Sequence, residues 1–222
     1  MTNKILFVTE LRPYPPYGGQ FIHTYNNIES LCRNFSVIVL APAVSSDCEL
    51  LQKVEAWHNL PLEFHPIRHN VNKIIRHRFK PWSAWYICLE QLYKLYKPKV
   101  TWFGYGHWGQ YTDLARKYGS KTIMGTHNSQ AKLTRQRCQA TPFGSTYIVQ
   151  RLNYLTQHIH EQRFFSRFDR IISVSESDRR YHTQFVSEER SLLLPNYIND
   201  DWYKHEKPII REENLIIMTG QF

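Results

Sequence analysis

Acidic residues are missing from two long stretches of the chain: none stands between Glu63 and Glu90, and none between Asp113 and Glu161. The first gap holds Arg68, Lys73, Arg76, Arg78 and Lys80, and the 222 residues together carry a net charge of +9. Such a field favours an anionic partner, without choosing among a nucleotide diphosphate, an anionic lipid and a nucleic acid. Cysteine is scarce as well. Cys32, Cys48, Cys88 and Cys138 are widely spaced and form no CxxC pair, which argues against a zinc site and fits free thiols in a reducing compartment. No apolar run approaches the roughly 20 residues needed to cross a bilayer; Ile5–Val8 and Val37–Ala43 are typical of what is present. An apolar run beginning almost at Met1, with no longer stretch and no small-residue cleavage site, reads as a cytoplasmic protein.

Two nucleotide signatures are absent, the spaced glycines of GxGxxG and the Walker pattern with its Lys–Ser/Thr. Their absence counts against a dehydrogenase, a nucleotide hydrolase and an epimerase of the dinucleotide-binding kind. No recognised nucleic-acid motif appears and the Lys and Arg residues are spread over many segments, so nucleic acid is not expected as a partner. A basic α/β module that binds nucleic acid or an anionic surface is the competing class. What is present is an ordinary globular composition, 42% hydrophobic and 21% charged, enough for a real core.

Short β-branched runs alternate with longer helical segments. Strands are expected at 4–9, 36–40, 62–67, 100–103, 121–125, 170–174 and 191–194. Helices are expected at 21–33, 49–58, 83–96, 109–118, 147–168 and 177–185. That alternation predicts a doubly wound, mostly parallel Rossmann-like sheet with helices on both faces. Ligands then sit beyond the carboxyl ends of the strands.

The loop after the first strand, RPYPPYGGQ (12–20), places Gly18 and Gly19 ahead of a helix. There a glycine pair lets backbone approach an anion at the helix N-terminus, or simply turns the chain. KILFVTE, the Pro-rich loop and GGQFIHTYNNIESLCRNFSVIVLAP resemble the opening of family-4 glycosyltransferases. TIMGTHN (122–128), RIISVSE (170–176), LLPN (193–196) and IIMTGQF (216–222) are similar to later family segments, in the same order. The family usually has Gly after Pro-Asn, where Tyr197 stands here.

The resemblance implies the N-terminal, acceptor-side half of a GT-B fold and a retaining, metal-independent transfer. The sugar would pass from a nucleotide-diphospho-sugar to a glycan, lipid-linked or small-molecule acceptor, with no cofactor. No DxD-like carboxylate pair is seen that would point to a metal. His127 corresponds to the residue that touches the transferred sugar, the catalytic candidate here; the alternative is a His held by a neighbouring carbonyl. Gly18, Gly19 and Gln20 would lie against the donor. His107 and Trp108 would face the cleft, the aromatic ring suiting a stacked sugar. Asn128 would bind a hydroxyl or cap the next helix, and Ser175 and Glu176 would bind substrate unless Ser173 or Ser175 serves only as a cap. Residues 68–85 read either as a patch touching an anionic membrane or as a solvated loop. Residues 1–196 form the expected domain and 197–213 a linker. Residues 214–222 look like the first strand of a donor-binding domain, without which the chain would turn over nothing.

Overall fold

The structure, a computed structural model, describes residues 3–61, 79–104 and 107–197. The elements run β1 (Lys4–Thr9), α1 (Gly19–Cys32), β2 (Ser36–Ala41), α2 (Leu50–Lys53), β3 (Ala56–Asn59), α3 (Ser83–Tyr96) and β4 (Val100–Gly104). They continue with α4 (Thr112–Lys117), β5 (Lys121–Gly125), α5 (Gln130–Ala140), α6 (Ser145–Phe164), β6 (Arg170–Ser173), α7 (Glu176–His182) and β7 (Ser191–Leu193). All seven strands are parallel, in the order β3-β2-β1-β4-β5-β6-β7. The expected doubly wound α/β sheet is thus present.

Buried parallel strands are apolar on both sides, which is why β1 and β2 read as unbroken apolar runs. Their alternate residues feed two cores. Leu6, Val8, Ile38, Leu40 and Phe103 pack with Leu89 and Tyr93 of α3 and Leu114 of α4. Ile5, Phe7, Val37, Val39 and Trp102 pack on the other face with Ile28 of α1 and Leu50 of α2. The strand order reverses between β1 and β4, which pair directly through Ile5–Val100 to Thr9–Gly104. Connections leave those two strands in opposite directions, opening a crevice at their carboxyl ends.

Two expectations need correction. The helix foreseen over 49–58 is a single turn, α2, followed by a strand. Val54 N–H closes the last turn onto Leu50 O, and Glu55 N–H then donates to Val37 O at 2.8 Å, so the chain joins the edge of β2. The strand foreseen at 62–67 lies outside the described residues, as does that at 214–220. A helix not foreseen, α5, buries only Ala131, Thr134 and Cys138; so thin a stripe leaves little periodic signal. Among the described residues no helix is long and apolar enough to cross a membrane.

After β7 the chain returns to α1. Tyr197 accepts at its carbonyl from Asn26 Nδ2 at 3.3 Å and donates its hydroxyl to Asn26 O at 2.9 Å. The same hydroxyl lies 2.6 Å from Ser30 Oγ.

Candidate functional site

Side chains from β1, α1, β4, β5 and α6 converge at the carboxyl end of the sheet. His127 leaves β5 two residues after its last strand position and is buried. Thr24 donates its hydroxyl to Gln20 O at 2.8 Å, a helical back-bond. Its oxygen therefore meets His127 Nε2, 3.3 Å away, as an acceptor, which assigns the ring proton to Nε2 and leaves Nδ1 as the acceptor nitrogen. His23, one residue earlier on α1, sets its ring edge-on to His127 at 4.7 Å between centroids. Asn27 Nδ2 lies 3.4 Å from the His23 ring nitrogens. Burial, with His23 alongside, pulls the His127 pKa down to about 3, so the ring is neutral at physiological pH.

The other wall is a polar chain. The Glu10 carboxylate, at the end of β1, accepts from His107 N–H at 3.3 Å. His107 Nε2 lies 2.9 Å from Gln157 Oε1, and Gln157 Nε2 donates to Glu161 Oε1 at 3.5 Å. Ala131 N–H, in the first turn of α5, donates to that same oxygen at 2.9 Å. Burial raises the Glu10 pKa to about 7, against the opposing hydrogen bond from His107. Glu161, with no exposed surface, is raised by burial as well.

Gly18 and Gly19 begin α1. Gly18 has φ +99°, a left-handed setting that favours glycine. Its carbonyl accepts from Phe21 N–H and Ile22 N–H, each at 3.1 Å. No side chain caps this end and no acidic residue stands in its first turn, so its orphan N–H groups and positive dipole end are open to an anion. Gln20 is exposed beside it. From Gly18 to Thr24 is six residues, about 9 Å along the helix axis.

Two expectations change at this site, for Trp108 and Asn128, and for Ser175 the capping alternative holds. Trp108 offers no ring face to a sugar: it is fully buried, stacked on Trp85 at 4.6 Å and on Phe103 at 5.8 Å. Its indole N–H donates to Gly104 O. Asn128 is exposed and does not cap α5; the cap is Ser129, whose hydroxyl accepts from Lys132 N–H at 3.2 Å. Ser175 is the cap of α7, accepting from Asp178 N–H at 3.1 Å. Glu176 forms the first turn of that helix and pairs with Arg179 and Arg180. Glu10, His23, Thr24 and Gln157 were not singled out from the sequence. For Glu10 a signal existed, a carboxylate closing a buried strand at the mouth of a glycine loop.

These buried groups set an acid limit. Burial lowers His182 to about pH 4 and His127 to about 3, from the usual 6.5. Below pH 6.5 the unfolded chain therefore holds more protons on these rings, and stability falls as pH falls. Glu10 acts the other way: its stabilisation is complete below pH 4.5 and is lost as pH rises through about 7. Between pH 4.5 and 6.5 the two effects oppose each other; below 4.5 only the histidines remain. Each neutral histidine loses about 1.4 kcal/mol per pH unit of fall, and Glu10 offsets about one of the two. Urea melts should therefore lose about 1.4 kcal/mol per unit from pH 6 to 5 and about twice that just below pH 4.5. A slope already twice as steep between pH 6 and 5 would contradict a protonated Glu10.

The sequence profile described as Glycosyltransferase Family 4 matches residues 17–202. No curated protein matches the chain significantly. Among solved structures, UDP-N-acetylglucosamine 2-epimerase from Rickettsia bellii superimposes with a TM-score of 0.53 at 14% identity, over 88% of this chain and 45% of its own. Phytolacca americana UGT2, complexed with UDP-2fluoro-glucose and pterostilbene, gives 0.53 at 12% identity, over 87% of this chain and 53% of its own. A UDP-glucosyltransferase from Polygonum tinctorium gives 0.53 at 10%, over 96% and 56%. The chain thus spans about half the length of each, and it shares with them one Rossmann-like half of the GT-B fold. Epimerase and transferases share that fold, so the fold by itself leaves the reaction open.

Proposed function

The chain belongs to glycosyltransferase family 4, and from that premise we propose that it is the acceptor-side half of an enzyme transferring a sugar from a nucleotide-diphospho-sugar to a glycan, lipid-linked or small-molecule acceptor. The observation that carries the reading is the meeting of His127 with α1, whose glycine-led N-terminus is uncapped. A diphosphate placed there meets backbone N–H groups and the positive end of the helix dipole, which stabilise the leaving group as charge develops. The reading takes the transfer as retaining and independent of metal.

In this reading His127, neutral and fixed by Thr24, lies against the transferred sugar. Glu10 stands within the same crevice with a pKa near neutrality, suited to exchanging a proton with an acceptor hydroxyl. The donor's nucleotide is held by a second domain, as the length of the matched structures supports, so these 222 residues alone bind acceptor weakly and turn over nothing. The test is release of nucleoside diphosphate by the protein carrying both halves, given a panel of nucleotide-sugars with glycan and lipid extracts. No release with any donor rejects the reading.

The enzyme works at the cytoplasmic face of a membrane in this proposal. Residues 68–78 of the basic stretch lie outside the described residues, and support comes instead from α6. Ile148, Leu152, Leu155 and Ile159 recur at helical spacing on its outward face and are 40–55% exposed. Arg151 and Arg163 are exposed on the same helix. An outward apolar stripe with cationic neighbours suits an anionic lipid surface. Leu152→Asp with Leu155→Asp should cut sedimentation with phosphatidylglycerol vesicles at least ten-fold without altering the fold by circular dichroism. No vesicle binding by the unaltered chain at low salt removes this part.

A further inference from the structure

A second cleft, of about 680 Å³, opens between α5, α6 and α7. Helices α5 and α7 both start at the carboxyl ends of their strands, so the cleft lies on the same end of the sheet as His127. Ala131 lines it and stands four residues from His127, at most about 15 Å by chain length.

Its charges are unbalanced. Lys132, Arg135 and Arg180 line it against one carboxylate, Glu176, and Glu176 already pairs with Arg179 and Arg180. Lys132 Nζ is 3.7 Å from Asp178 Oδ1. Arg135 has no ion-pair partner among the described residues. The α5–α6 hairpin adds no compensating exposed acid, because the sequence from 114 to 160 contains none. One side of the cleft is aromatic: Tyr154 and His158 stack at 5.9 Å with planes 23° apart, and the Tyr181 hydroxyl lies 3.5 Å from His158 Nδ1.

Guanidinium groups match phosphoryl oxygens in geometry and charge, and an aromatic face accepts the apolar side of a sugar ring. We propose that this cleft takes the phosphoryl or diphosphoryl group of an anionic acceptor, with the adjoining sugar against Tyr154. This rests on the transferase reading for the word acceptor; the binding itself does not. The phosphoryl group would belong to a soluble sugar phosphate or to a lipid-linked one.

The test uses the 222-residue chain and isothermal titration with pyrophosphate, glucose 1-phosphate and uncharged methyl glucoside, at low and at physiological salt. Pyrophosphate and glucose 1-phosphate should bind weakly and in a salt-dependent way, and methyl glucoside not at all. Arg135→Ala with Arg180→Ala should raise the pyrophosphate Kd at least ten-fold. Glu176→Gln, which removes the opposing charge, should lower it several-fold. Lys94→Ala with Lys99→Ala, two exposed lysines near the opposite end of the sheet, should leave it unchanged and so exclude a general charge effect. A second arm uses vesicles with and without phosphatidylglycerol. Loss of glucose 1-phosphate binding in the arginine variant assigns a soluble acceptor, and loss confined to the vesicles assigns a lipid-linked one. Equal binding by the unaltered chain and the arginine variant in both arms overturns the proposal. Binding is read without turnover, so that failure leaves the transfer reaction standing, and a failed transfer assay leaves this binding standing.

Discussion

Replacing Gly109 with alanine is expected to destabilise the protein by about 3–5 kcal/mol, enough to unfold much of a marginally stable domain. A Cβ at this position would stand 2.2 Å from Phe164 Cβ and 2.8 Å from Phe164 Cγ. Side-chain rotation cannot relieve the first contact, because Cβ is fixed by the backbone. Either the turn after β4 or the end of α6 must move. Both are held: Phe164 is buried, its ring tilted against Phe79 at 6.4 Å and His160 at 4.9 Å, and Gly109 opens the turn carrying the buried Tyr111. The contact also yields a sharp control. Phe164→Ala keeps its Cβ, so the Gly109→Ala/Phe164→Ala double variant should not recover the stability lost in Gly109→Ala. Recovery in a urea melt would place the conflict with the ring and refute the backbone argument. His107 stands two residues before Gly109, so any surviving fold should also lose its link between Glu10 and Gln157.

The second large effect is on the proposed reaction. In the protein carrying both halves, His127→Ala should lower kcat at least ten-fold, about 1.4 kcal/mol or more in transition-state stabilisation. The ring is positioned twice, by Thr24 through Nε2 and by His23 against its face, and such positioning is what truncation destroys. Melting temperature must be recorded beside kcat, since removing a buried ring also costs packing. Unchanged turnover would remove His127 from the site. The pH profile separates His127 from Glu10. With its pKa near 3, His127 stays neutral from pH 5 to 8 and contributes no break there. Glu10, raised to about 7, should produce one, and Glu10→Gln should abolish it while leaving the rest of the profile in place.

Much of this architecture is legible in the chain because buried parallel strands are apolar on both faces. Ile5–Val8 and Val37–Ala41 announce themselves for that reason. Strand β3, AWHN, does not: paired among the described residues with β2 alone and partly buried, it has a composition that matches a helix as well as a strand. At the site, His127 is legible from its place at the end of a buried strand. Thr24 is not, because the pair is 103 residues apart in sequence and only the crossing of α1 brings it together. Trp108 shows the opposite limit. An aromatic residue in a loop beyond a strand has the same appearance whether it stacks on a ligand or, as here, plugs the core against Trp85. Asn128 and Ser129 are adjacent candidates for one cap, and backbone geometry that no pattern encodes gives the role to Ser129.

Tyr197 bears on how mechanical load would travel through the molecule. Strand β7 has three paired positions, Ser191, Leu192 and Leu193, and is the outermost strand on its side among the described residues. A pull on the residues after it would peel so short a strand away one hydrogen-bonded pair at a time. Anchored to Asn26 and Ser30, Tyr197 acts like a cable clamp. It diverts tension into the shaft of a 14-residue helix, which resists in shear along its whole length. That helix is the one that begins at Gly18 and carries Thr24, so a tug on the chain beyond Tyr197 reaches the residue that holds His127 through the body of α1 and not through the sheet.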